Sequence, residues 1–148
     1  MDPSANLSSK IGIVVSTYNS NITQRLLEGA ENTLNQAGWD AARLQTIRVP
    51  GAWELPLAAK WLLERPEIVA VLTLGAVIRG ETTHDQHINR AVSTALMELM
   101  MSTGKPVGFG LLTCNSLEQA IHRAGGNVGN KGCETAEAVL AMLAVEDK

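Results

Sequence analysis

Residues 68–78 (IVAVLTLGAVI) run for eleven positions with no charge and a single hydroxyl. Alternate side chains of a strand point to opposite faces, and here both sets are apolar, so both faces require burial. Helices packed on each side of a parallel sheet provide that environment. The run is far too short to cross a bilayer as a helix.

The rest of the chain alternates around this strand. Residues 11–16 (IGIVVS) are short, apolar and rich in β-branched side chains, and so read as a second buried strand. Residues 44–49 form a third, more polar one, and residues 106–113 a fourth. Helical spacing fills the intervals. The first stripe is Ile22, Leu26, Leu27, Ala30, Leu34 and Ala37, with Gly38 as its stop. Residues 52–64 follow, with Pro56 tolerable only in the first turn. Ile88, Ala91, Val92, Ala95, Leu96, Leu99 and Met100 make the clearest stripe. Ser116 with Gln119 forms a capping box that opens another helix. Residues 125–132 (GGNVGNKG) break the chain before a last helix over residues 134–145.

The order β-α-β-α-β-α-β-α-α implies an α/β fold of three layers, α/β/α, with a central four-stranded parallel sheet. With 148 residues the chain fits one domain, expected over residues 11–148 behind a flexible N-terminal segment at 1–10. That segment lacks the apolar core of a signal peptide. The net charge of −3 is spread along the chain without a basic stripe, which argues against nucleic acid as a partner. No apolar run is long enough for a membrane span. Cys114 and Cys133 fit no zinc spacing and read as reduced thiols of a cytoplasmic protein.

In parallel sheets ligands bind beyond the carboxyl ends of the strands. Four segments qualify: residues 17–21, 50–54, 79–84 and 113–116. The third, Arg79-Gly80-Glu81-Thr82-Thr83-His84, is the richest. A glycine after a strand permits a sharp turn, and amides entering the next helix make an anion site. Thr83 with Gln86 forms a second capping box, which puts His84 in the first helical turn. The positive end of a helix favours the neutral imidazole that proton acceptance needs. The competing reading is a capped loop with a solvated histidine. His84 and His87 can share a face, but no third metal ligand is evident, and no metal is expected. His122 reads as a surface residue.

Tyr18, just past a strand and followed by Asn19, can stack on a flat heterocycle or simply cap the core. Glu54 can accept protons from a sugar-like ligand or stabilise a helix start. Arg123 and Lys131 flank the glycine-rich break and suit a phosphate clamp, though they read equally as solvated cations. No nucleophile elbow, Walker loop or dinucleotide fingerprint is present. From the residues alone the chain is a phosphate- and heterocycle-binding α/β domain with one candidate general base.

Together these segments resemble the lumazine synthase family from residue 11 nearly to the end. The matching blocks are IGIVV at 11–15, VPGAWELP at 49–56, LGAVIRGETTH at 74–84, PVGFGLLT at 106–113, EQAIHRAG at 118–125 and GNKG at 129–132. The resemblance implies flavodoxin-like layering and a reaction: 5-amino-6-(D-ribitylamino)uracil condenses with L-3,4-dihydroxy-2-butanone 4-phosphate to give 6,7-dimethyl-8-ribityllumazine, phosphate and water. It implies no metal and no organic cofactor.

Matched position by position, Tyr18 corresponds to the aromatic that stacks on the pyrimidine, with Asn19 beside it. Ala52 and Glu54 correspond to residues holding the ribityl chain, with Trp53 counted to the same stretch. Val77 and Ile78 correspond to the pyrimidine pocket wall. Glu81, Thr82 and Arg123 correspond to the phosphate site, and His84 to the proton-transfer residue. Phe109, Arg123 and Lys131 correspond to residues lent by a neighbouring subunit. The resemblance further implies a homo-oligomer: a pentamer, with closure into a sixty-subunit icosahedral shell and riboflavin synthase as a possible companion. Three positions depart from the pattern. Tyr18 stands where Phe or Trp is usual, His122 where an acid precedes the arginine, and Asn127 where a lysine is usual.

Three rival readings compete with the enzyme. The chain could be a non-catalytic homologue that holds a lumazine or flavin, an unrelated phosphate-binding module of the same layering, or a purely structural shell protein. Keeping His84, Arg123 and Glu54 together argues for the enzyme.

Overall fold

A computed structural model describes residues 8–80, 84–126 and 129–148. β1 (Lys10–Ser16), β2 (Leu44–Val49), β3 (Ile68–Ile78) and β4 (Val107–Cys114) form one sheet in the order β2-β1-β3-β4. Every neighbouring pair is parallel. The α-helices are α1 (Ser20–Gln36), α2 (Leu55–Leu63), α3 (His84–Thr103), α4 (Leu117–Arg123) and α5 (Lys131–Glu146). This is the three-layer α/β/α arrangement with flavodoxin-like layering.

β3 lies between β1 and β4, which explains its apolar composition. Leu72 and Leu74 pack with Ile11, Ile13, Leu26 and Val139 under α1 and α5. Val71 packs with Val14, Leu62 and Leu96 under α2 and α3. Each fully buried Leu or Ile contributes about 1.5–3 kcal/mol. The lone hydroxyl of the run, Thr73, is buried but satisfied, its Oγ1 donating to the Gly108 carbonyl on β4 at 2.7 Å.

Several local features differ from the sequence expectation. β1 begins at Lys10, one residue before the expected strand start, and Ser9 is buried. The Ser9 carbonyl accepts from Nε of buried Arg43, whose guanidinium lies 4.1 Å above the Trp39 ring. The expected helix over 52–64 begins instead as a 3-10 turn, Ala52–Glu54, with Pro56 in the first turn of α2. The Ser116 cap forms, since its side chain accepts from the Gln119 N–H. The return bond is displaced by one residue, because the Gln119 side chain accepts from the Asn115 N–H.

The last helix starts at Lys131, three residues before the expected 134. Asn130 explains the shift. Its Oδ1 accepts from the N–H groups of Gly132 and Cys133, and its Nδ2 donates to the Arg25 carbonyl of α1. Gly132 completes the junction, because a Cβ there would collide with the Leu26 carbonyl oxygen. A glycine that reads as a chain breaker thus serves close helix packing.

Candidate functional site

The carboxyl ends of β1, β2 and β3 open on one cleft. Beyond the strands, the Thr17 N–H donates to the Val49 carbonyl at 2.8 Å and the Tyr18 N–H to the Pro50 carbonyl at 2.9 Å. The β1 and β2 exits therefore stay zipped together. Asn19 turns the chain with φ 58°, the left-handed region that asparagine tolerates better than most residues. Its carbonyl accepts from the Ile22 and Thr23 N–H groups as α1 begins. Its Nδ2 donates to the Ala76 carbonyl of β3 at 3.0 Å. One side chain thus links the two exits to β3.

These bonds leave the Tyr18 ring 75% exposed at the rim. Across from it the 3-10 turn presents Ala52, Trp53 and Glu54. Glu54 Oε1 accepts from the Gly51 N–H at 3.0 Å, which fixes the carboxylate against its own loop. The cleft measures about 530 Å³. Tyr18, Asn19, Ala52, Trp53, Glu54, Val77, Ile78 and His84 all line it, together with Pro50, Gly51, Ala76 and Ile88. His84 stands in the first turn of α3 with Ile88 one turn on, and no Lys or Arg is among the described residues that line the cleft.

Arg123 and Lys131 lie elsewhere. They line a second cleft of about 390 Å³ with Leu111, Leu112, Thr113, Gly129 and Glu134, between β4, α4 and α5. The connection beside it is closed at its base, where the Gly125 N–H donates to the Gly129 carbonyl at 2.7 Å. Phe109, in the middle of β4 and 44% exposed, lines neither cleft. Glu81, Thr82 and the Thr83 cap lie outside the described residues, as does Asn127. His122 is half-buried, with Nε2 3.9 Å from Glu118 Oε1 one turn back. No group of three or more His, Cys, Asp or Glu gathers around the His84/His87 pair or elsewhere among the described residues.

The sequence reading missed two features. Glu134 shares the cationic cleft, and its spacing of three from Lys131 could have shown that they face the same way. Asp85 is buried in the first turn of α3 with Arg79 Nε 3.7 Å from its Oδ2. An acid in a first helical turn is ordinary, and nothing local announced its burial.

The larger cleft can hold a flat ring between apolar walls, orient hydroxyl groups at Glu54 and exchange a proton at His84. The smaller can hold an anion. Fold and clefts together define an α/β domain with two unlike recesses, each of a size for small molecules, at the carboxyl edge of its sheet.

Comparison with known proteins sharpens that class. The family model described as 6,7-dimethyl-8-ribityllumazine synthase matches residues 8–147. A protein of that name from Rhodopirellula baltica is 51% identical, covering 95% of this chain and 91% of its own length. One from Thermus thermophilus is 44% identical, covering 90% and 85%. One from Syntrophus aciditrophicus is 45% identical, covering 90% and 87%. The chain belongs to the 6,7-dimethyl-8-ribityllumazine synthase family. No helix among the described residues is long and apolar enough to cross a membrane.

Proposed function

We propose that this chain is an enzyme of riboflavin biosynthesis that condenses 5-amino-6-(D-ribitylamino)uracil with L-3,4-dihydroxy-2-butanone 4-phosphate. The substrate amine attacks the ketone, and water leaves as the imine forms. Phosphate is then eliminated, and ring closure with loss of a further water gives 6,7-dimethyl-8-ribityllumazine. The nucleophile belongs to the substrate, so the protein's task is positioning, charge stabilisation and proton transfer. No metal or organic cofactor enters the scheme.

In this reading Tyr18 stacks on the pyrimidine, with Asn19 behind it and Val77 and Ile78 along its edge. Ala52, Trp53 and Glu54 hold the ribityl chain. His84 carries protons during phosphate loss and ring closure. Arg123, with Glu81 and Thr82 through their backbone, holds the phosphate, and Lys131 and Phe109 close the site.

The observation that carries the reading is the split between the clefts. Tyr18 and His84 share one recess, whereas Arg123 and Lys131 share another. Head-to-tail contact between copies joins unlike surfaces and closes into rings. A site assembled across such a contact, in a cyclic pentamer, needs both recesses. Twelve pentamers closing into a shell extend the same assembly, and the short connection between Gly125 and Gly129 favours that closure. Cytoplasmic location agrees with the free thiols of Cys114 and Cys133. Riboflavin synthase, which uses the product, is the companion enzyme in this reading.

The test mixes two crippled chains. His84→Ala and Arg123→Ala proteins are each assayed alone with butanone phosphate held below the wild-type KM, where the Arg123 defect shows as lost rate, then unfolded together and reassembled in equal amounts for the same assay. Sites made of one cleft from each of two copies should recover about a quarter of wild-type turnover, the random-pairing fraction for a head-to-tail ring. Turnover no higher than the mean of the separate proteins would mean that each chain holds its whole site. Particle mass by light scattering on the same samples separates a free pentamer from a closed shell.

A further inference from the structure

The first turn of α3 contains a buried carboxylate that the scheme above does not use. The Asp85 side chain is 6% exposed, and Arg79 Nε lies 3.7 Å from its Oδ2. Arg79 is itself anchored at the end of β3. Its backbone N–H donates to the Cys114 carbonyl at 2.7 Å, and its Nη1 to Asn115 Oδ1 at 3.4 Å. The guanidinium therefore stands between the exit of β4 and the start of α3.

Stability is a poor explanation for this pair. Asp85 Oδ1 has no hydrogen-bond partner among the described residues, and neither has Asn89 Oδ1 one turn on. The ion pair is long, and the Arg79 side chain is 51% exposed. So long a pair to a half-exposed guanidinium returns little stability.

Geometry offers a better explanation. Successive residues of an α-helix are turned by about 100° from one another. Asp85 and Asn89, four apart, share one stripe of α3, and their side-chain oxygens are buried. His84 and Ile88 form the adjacent stripe, and both line the larger cleft. Fastening Asp85 to Arg79 fixes the rotation of the first turn, and so fixes where residue 84 faces. The fastening is wanted here because only five residues separate the end of β3 from the start of α3.

We propose that Asp85 is a positioning residue: held by Arg79, it sets the rotation of the first turn of α3 so that the His84 ring faces the cleft. The inference rests on the reading of His84 as the proton carrier. Asp85 acts through His84 and touches no substrate.

The test uses the full chain in its native assembly, with Asp85→Asn as the nearly isosteric variant. With His84 turned off line, kcat should fall about tenfold while KM for the pyrimidine stays within about twofold. The thermal midpoint should hold, because so loose a pair returns little stability. Arg79→Ala should instead lower the midpoint, because it strands that charge. In a His84→Ala background, Asp85→Asn should have no further effect on kcat. A loss that persists in that background, or a midpoint that falls in step with kcat, overturns the proposal. If His84→Ala alone leaves turnover intact, the proton-carrier reading fails. Amide exchange at residues 84–89 then decides the tether by itself: faster exchange in Asp85→Asn supports it, and unchanged exchange overturns it.

Discussion

The cleft under Tyr18 is walled by apolar side chains and carries two aromatic rings, Tyr18 and Trp53, and a histidine, with no Lys or Arg among the described residues that line it. The cleft beside β4 carries Arg123, Lys131 and Glu134, with no aromatic ring and no histidine among the described residues that line it. A flat heterocycle and a phosphate dianion make opposite demands. The first gains from dry walls and stacking, the second from fixed cations and amides. Cations crowded into the apolar recess would hold water where the ring must sit. On the proposed reading, placing the two sets of groups in separate recesses meets both demands, at the expense of making a single chain incomplete. The contrast explains how one 148-residue domain can serve a two-substrate reaction.

The largest effect should come from the apolar half. His84→Ala is expected to lower turnover by roughly ten- to a thousand-fold, with the spontaneous condensation setting the floor. Pyrimidine binding, measured by fluorescence titration, should barely change, since the walls and Tyr18 remain. Weakened pyrimidine binding in step with turnover would make His84 part of the ring pocket and blur the division between the clefts.

A smaller effect should come from the polar half. Arg123→Ala is expected to raise KM for the butanone phosphate by about ten- to a hundredfold, the loss of one or two charge-assisted hydrogen bonds. Inorganic phosphate should compete with that substrate in the wild type and lose its grip in the variant. Competition against the pyrimidine instead would place the anion in the wrong cleft.

The smallest effect tests how the polar half is built. Asn130→Ala removes the cap of α5 and its tie to the Arg25 carbonyl. The cost should be about 1 kcal/mol of stability, seen as a small drop in thermal midpoint. Lys131 begins the helix that Asn130 caps, so phosphate competition should weaken slightly while pyrimidine binding holds. Equal weakening of both would mean that the two clefts are mechanically coupled within one chain.

Much of the apolar cleft was legible in the sequence. Tyr18, Ala52 and Glu54 each follow a strand closely, and a parallel sheet brings all its carboxyl ends to one edge, so locating the strands located these residues. Strand β3 was read to its ends because apolar character on both faces is written in consecutive residues. The start of α5 was misjudged for the opposite reason. Residues 125–132 look like an open break, and only the Asn130 contact with α1, more than a hundred residues away in sequence, shows that a helix begins inside it. The Arg79–Asp85 pair was hidden likewise. Nothing near Asp85 in the chain indicates that α3 buries it.

By itself, then, the sequence determined the kind and order of the elements, the shared edge where β1, β2 and β3 end, and the family blocks that run through it. Periodicity and capping act between residues a few positions apart, so one chain of letters carries them. Only the tertiary structure decided that Arg123 and Lys131 stand apart from Tyr18 and His84, and that Asp85 turns inward. Those outcomes depend on how helices settle against the sheet: β4 lies at its edge beyond β3, and α4 and α5 fold back beside it. Contacts between segments far apart along the chain set those distances, and no local pattern of residues records them.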